Sequence, residues 1–153
     1  MPLPNIFDKE VSLQLISRIQ KLTSATQPKW GKMSVSQMLA HCNVSYEYVY
    51  EPEKYKPVPA FMKFIIKLFI KNSVVSEKPY KQNSQTAPDF KITTDKNFAE
   101  EQTRLINFIE KTTSNGVAYF NGKESHSFGK LTAIEWNNMF YKHLDHHLSQ
   151  FGV

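Results

Sequence analysis

The sequence predicts an all-α fold, an up-and-down four-helix bundle with one short accessory helix and long connecting loops. Three observations carry this. Four long segments space their apolar residues three and four apart, the period of a helix with one buried face. Two segments open on capping boxes, Ser34-x-x-Gln37 and Thr132-x-x-Glu135, in which side chains satisfy the free backbone groups of a helix start. The eight prolines all fall outside the helical segments, where a missing N–H breaks no helix.

Residues 8–22 form the first predicted helix, with Val11, Leu15, Ile19 and Leu22 on one face and Asp8 as N-cap. A polar turn containing Pro28 leads to the second helix, residues 34–50, whose inward face carries Val35, Met38, Leu39, Cys42, Tyr46 and Val49. Three prolines between residues 51 and 59 make an extended connection. Residues 60–71 form the short accessory helix. Its lysines, 63, 67 and 71, share one stripe, the pattern of an interfacial amphipathic helix. The expectation is instead that its apolar side packs on the bundle, or under a neighbouring subunit, while the lysines face water. Residues 72–94 are too long and polar for a tight turn, so they wrap across one side of the domain. Residues 95–113 return to helical spacing behind Asp95 as cap. Residues 114–130 hold Asn121-Gly122, the turn of a small hairpin or part of a plain loop. The last helix begins at Thr132.

The 153 residues form one domain, 1–153, long enough to bury a core. An apolar content of 41% excludes a disordered chain. With Cys42 as the only cysteine, no internal disulfide forms. The first residues lack the basic and apolar regions of a signal peptide, and no apolar run has the length of a membrane span; a cytoplasmic protein is expected. The net charge of +5 is concentrated between residues 54 and 91, where eight lysines face only Glu77 and Asp89. They are scattered singly, so a solvated basic face is expected, with no nucleic-acid and no membrane partner.

The last helix holds the sharpest chemical signal. At 100° per residue, Trp136, Phe140, His143, His147 and Phe151 fall in a sector about 80° wide, with Asn138, Lys142, Asp145 and Ser149 on the far side. Buried imidazoles need partners, and histidines at i and i+4 of a helix can share one metal ion. A third ligand should come from another helix. His41 is the candidate, at the edge of its apolar stripe near Gln37, Ser45 and Tyr48; that position suits the rim of a site and equally a surface histidine. His146 points away from the pair, and His126 lies in the connecting loop. Leu144 stands where a zinc protease carries its general base, which excludes that reaction. Cys42 reads as an ordinary buried thiol, and Glu47 and Asp145 as solvent-facing carboxylates.

Trp30-Gly31-Lys32-Met33-Ser34 with Gln37-Met38-Leu39-Ala40-His41-Cys42 resembles the first motif of the DinB-like superfamily. The run from Lys142 through His143, His147 and Phe151 resembles its last motif. The loop from Ser125 to Thr132 and the segment from Asn83 to Pro88 are similar to a branch without settled activity. The resemblance implies a bundle holding a divalent ion (zinc, nickel or iron) on His41, His143 and His147. It also implies thiol-dependent transferase or isomerase chemistry with a low-molecular-weight thiol, a small-molecule substrate and a homodimer. The alternative is a non-enzymatic binding protein with a structural ion or none, docking a partner on its basic face; Tyr48 and Gln37 are candidates for the open side of the site.

Overall fold

The computed structural model describes residues 2–153; Met1, the first residue of the predicted domain, lies outside them. The helices are α1 Lys9–Gln20, α2 Val35–Tyr50, α3 Ala60–Phe69, α4 Lys71–Val75, α5 Phe98–Phe120 and α6 Ala133–Gln150, with a hairpin of β1 Lys123–Ser125 and β2 Gly129–Leu131 before α6. Helices α1, α2, α5 and α6 each pack against at least two of the others. The all-α expectation holds. No helix among the described residues is long and apolar enough to cross a membrane.

Both capping boxes form. Ser34 Oγ accepts from the Gln37 amide at 3.2 Å while the Ser34 amide donates back to Gln37 Oε1 at 3.0 Å. Thr132 and Glu135 repeat the exchange at 3.3 and 2.8 Å. Behind these starts, Leu15, Ile19, Met38, Leu39, Leu105, Ile109, Leu144 and Leu148 close one core. Its centre is aromatic: the buried Tyr46 ring of α2 stacks on Phe140 of α6 at 4.7 Å and on Phe108 of α5 at 5.8 Å. One residue thereby ties three helices together, burying a large apolar area whose removal from water is the main source of stability.

The structure corrects several expectations. Asn97, not Asp95, caps α5, its Oδ1 accepting from the Glu100 amide at 3.1 Å. Asp8 precedes α1 but its side chain makes no capping bond; Asn5 holds it instead. Helix α5 runs on through Gly116, whose φ of +71° bends it, so residues 117–120 continue as helix and deliver Phe120 into the core against Phe7 and Trp136. Asn121-Gly122 therefore precedes the hairpin rather than turning it. The accessory helix stops at Phe69, and a second short helix, α4, follows at once. That helix covers the supposed far side of α6: Asn138 Nδ2 donates to Val75 O at 2.9 Å, and Lys142 Nζ donates to Ser73 O and Ser76 O at 2.9 and 2.6 Å. Burial pushes the Lys142 ammonium down to about 8. Helix α3, by contrast, buries none of its residues.

Glu47, expected in solvent, is buried. It accepts from Arg104 and from the Tyr55 hydroxyl, with Lys54 at 3.5 Å. Arg104 also reaches Glu101 at 3.1 Å, and Asn43 donates to the same carboxylate at 2.8 Å. Burial alone would raise the Glu47 carboxyl, but its hydrogen bonds to Tyr55 and Arg104 and the nearby cations outweigh that and hold it below its ordinary value. The stabilisation is therefore complete above the unfolded carboxyl pKa of about 4.3 and is lost as pH falls through the folded one. Glu47→Gln is expected to destabilise the protein by about 1–3 kcal/mol near pH 7 and to flatten its acid limb. Urea denaturation of both proteins across that range checks this; parallel pH curves would remove Glu47 as a source of acid sensitivity.

Candidate metal centre

Helices α2 and α6 cross with three histidines between them. His41 comes from α2, and His143 and His147 from successive turns of α6; all three are buried. One ring nitrogen from each lies within 4.8 Å of the others. The ring centroids are 4.9 Å apart for His41–His143, 4.5 Å for His41–His147 and 4.9 Å for His143–His147.

The outward nitrogens are all engaged. His41 Nδ1 meets the Phe90 carbonyl at 2.8 Å, His143 Nδ1 the Ser45 hydroxyl at 3.0 Å, and His147 Nδ1 the Gln150 Oε1 at 2.7 Å. Carbonyl oxygens only accept, so His41 and His147 carry their protons on Nδ1 and keep Nε2 as a bare lone pair. In a metal site the same outer bonds orient the rings and set their tautomers. His143 Nε2 lies 2.9 Å from His41 Nε2; since His41 Nε2 can only accept there, His143 donates from Nε2 and its Nδ1 accepts a hydrogen bond from the Ser45 hydroxyl.

Electrostatics keep the group neutral. Burial, then repulsion from the neighbouring imidazoles, holds His143 well below its usual pKa. Burial sends His147 down to about 3 and lowers His41 as well. Neutral imidazole is the form that ligates a metal. Three buried, neutral, convergent imidazoles could hold a metal ion, and the nitrogen donor set suits zinc, iron or nickel.

The segment between α4 and α5 forms the roof. A short 3₁₀ turn, Pro88–Phe90, presents the Phe90 carbonyl to His41, and the Phe90 ring lies edge-on to His41 and His143 at 5.3 and 5.8 Å. Tyr80 lies edge-on to His143 at 6.5 Å and His146 at 5.8 Å. His146 is half-buried between Trp30, Tyr80 and His147, outside the converging group. His126 stacks on Tyr48 at 3.9 Å, and the Tyr48 hydroxyl donates to Asp89 at 2.8 Å. Tyr48 thus braces the roof from behind. Gln37, the other candidate for the open side, caps Ser34 and donates to Thr94 O. Cys42 is fully buried against Met38, its thiol pushed up by burial, an inert packing residue as expected.

Sequence reading missed the residues behind the ligating set. Ser45, one turn after His41, and Gln150, three residues after His147, stand at spacings that a helical wheel exposes. The Phe90 carbonyl has no side-chain signature at all. The Gln150 amide is fixed at both ends: Nε2 donates to Trp30 O at 2.8 Å, which leaves Oε1 for His147. The loop comes this close because residue 31 is glycine. Its φ is +82°, and a Cβ there would lie 2.6 Å from Gln150 Nε2.

A family model described as a protein of unknown function, DUF1569, matches residues 8–152. No curated protein and no solved structure matches the chain.

Gly31→Ala is expected to destabilise the protein by about 1–3 kcal/mol, from the positive φ and the displaced Gln150 amide. Chemical denaturation measures the loss, and the His147 ring resonances should shift with it. An unchanged midpoint would show that the loop yields freely.

Proposed function

The chain belongs to the DUF1569 family, whose function is unknown, and we propose that it is a divalent-metal-dependent enzyme with His41, His143 and His147 as ligands. The observation that carries this reading is the arrangement of the histidines: each Nδ1 has its own hydrogen-bond partner, the Nε2 atoms of His41 and His143 meet at 2.9 Å, and one ring nitrogen from each of the three lies within 4.8 Å of the others. A structural zinc site closes with four protein ligands, whereas a catalytic one keeps three and an open position. Among the described residues the converging group has three members. Zinc, nickel or iron held there would supply Lewis acidity, polarising a substrate group and lowering the pKa of a thiol or water.

The chain's own residues supply position and dryness. Gln150, Ser45 and the Phe90 carbonyl set ring orientation and tautomer. Ser45 can serve either tautomer of His143, donating to Nδ1 in the arrangement seen and accepting from it once Nε2 must be bare. Phe90 and Tyr80 shield the rings from water and border the approach of a small-molecule substrate. Membership of the wider DinB-like superfamily, with transferase chemistry on a low-molecular-weight thiol, rests on the resemblance of the two histidine motifs. A second reading, a binding protein with no catalytic ion, has one observation in its favour: the direct His41–His143 hydrogen bond closes the cluster by itself.

Elemental analysis of untagged protein separates these readings. About one ion per chain is expected in the wild type and none in a His143→Ala/His147→Ala double variant. Gln150→Ala should keep the site but weaken metal affinity by about 10- to 100-fold. Wild-type protein that takes up no ion after incubation with zinc, nickel or iron would refute the metal reading; one ion with no exchangeable water by relaxation measurements would refute the enzyme.

A further inference from the structure

Helix α3 is amphipathic yet presents its apolar side outward. Phe61, Phe64, Leu68 and Phe69 are 73, 62, 62 and 72% exposed. Phe61, Phe64 and Leu68 share a sector about 60° wide, and Lys67 borders it on the next row of the helix. The expectation that this side packs on the bundle is wrong, for a reason visible in the next element. The chain is moored through α4 instead: Lys71 pairs with Glu135 at 2.7 Å, and Lys142 and Asn138 hold the α4 carbonyls. That mooring engages the residues that follow α3 and leaves the apolar flank of α3 unpartnered.

Charge indicates what covers it. The eight lysines between residues 54 and 91, against Glu77 and Asp89, exceed the whole chain's excess of +5, so the remainder of the chain is slightly acidic. Among the described residues Lys63 and Lys67 enter no ion pair. A soluble surface rarely keeps clustered exposed aromatics without a use. A second copy of the chain, docked face to face, would bring two lysine-rich surfaces together, which like-charge repulsion opposes. An anionic lipid surface meets both requirements, because aromatic rings enter the headgroup–acyl boundary while flanking lysines reach the phosphates.

We propose that α3 is an interfacial anchor that lays Phe61, Phe64 and Leu68 into an anionic membrane surface, with Lys63 and Lys67 on its headgroups. The whole domain would then rest on the bilayer without crossing it. Co-sedimentation of the full chain with vesicles tests this, comparing pure phosphatidylcholine with vesicles carrying about 30% phosphatidylserine. Binding is expected only to the anionic vesicles at low salt. It should vanish at about 0.5 M salt, where the Debye length is about 4 Å. Lys63→Glu/Lys67→Glu should weaken it at least about 25-fold, taking roughly fivefold per lysine, and Phe64→Ser/Leu68→Ser should abolish it. Helix content by circular dichroism confirms that each variant folds. The proposal is overturned by no binding to anionic vesicles, or by binding indifferent to salt and charge reversal. It is equally overturned by a wild-type dimer that Phe64→Ser/Leu68→Ser converts to monomer, since a second copy would then own the face. None of these outcomes depends on metal content.

Discussion

Three imidazoles placed between α2 and α6 must be kept neutral, oriented and satisfied in a dry seam, and much of the chain is spent on doing so. A buried polar nitrogen without a partner costs on the order of 1–3 kcal/mol, and three imidazoles bring six nitrogens to be satisfied. Each outward nitrogen is met by a different part of the molecule: a serine of α2, a glutamine at the end of α6, and a backbone carbonyl from the roof. The Trp30–Gly31 loop exists in its close approach because Gln150 must be held, and the roof turn at residues 88–90 is braced by Tyr48 because His41 needs its carbonyl.

How much of this was legible depends on how local the deciding interaction is. The starts of α2 and α6 are local, since Ser34 with Gln37 and Thr132 with Glu135 close within one turn, and both were readable. The inward stripe of α6 is equally local, and the 100° step alone groups His143 and His147 with Trp136 and Phe140. The cap of α5 is not decided locally, because Asp95 and Asn97 are both good caps two residues apart. Phe98 packs against the core directly after Asn97, and tertiary packing selects the start. The burial of Lys142 is hidden for a related reason: a helical wheel shows which residues share a side, but not that α4 covers that side.

The same division applies to two cations that reach inward, the half-buried Arg104 and the buried Lys142. Arg104 enters the interior with carboxylates around it, so charge compensates charge. Lys142 has no carboxylate; it uses the carbonyls at the end of α4 and the face of Tyr80 at 4.5 Å. Carbonyl dipoles and a π face stabilise an ammonium less than an anion does, and burial accordingly lowers its proton affinity. The arrangement makes α4 a fixed bridge between α6 and the exposed α3. It joins the centre of the molecule to its most apolar surface.

Cys42 follows His41 in sequence yet points about 100° away from it around the helix, sealed in the core against Met38. As the only thiol in the chain, it is a built-in clock for the helix that carries His41. A thiol-specific reagent reaches it only when α2 lifts from its neighbours, so the labelling rate under native conditions reads how often that opening occurs. Whatever locks α2 against α6 slows the clock. The molecule thus reports the rigidity of its own histidine cluster through a residue that takes no part in it.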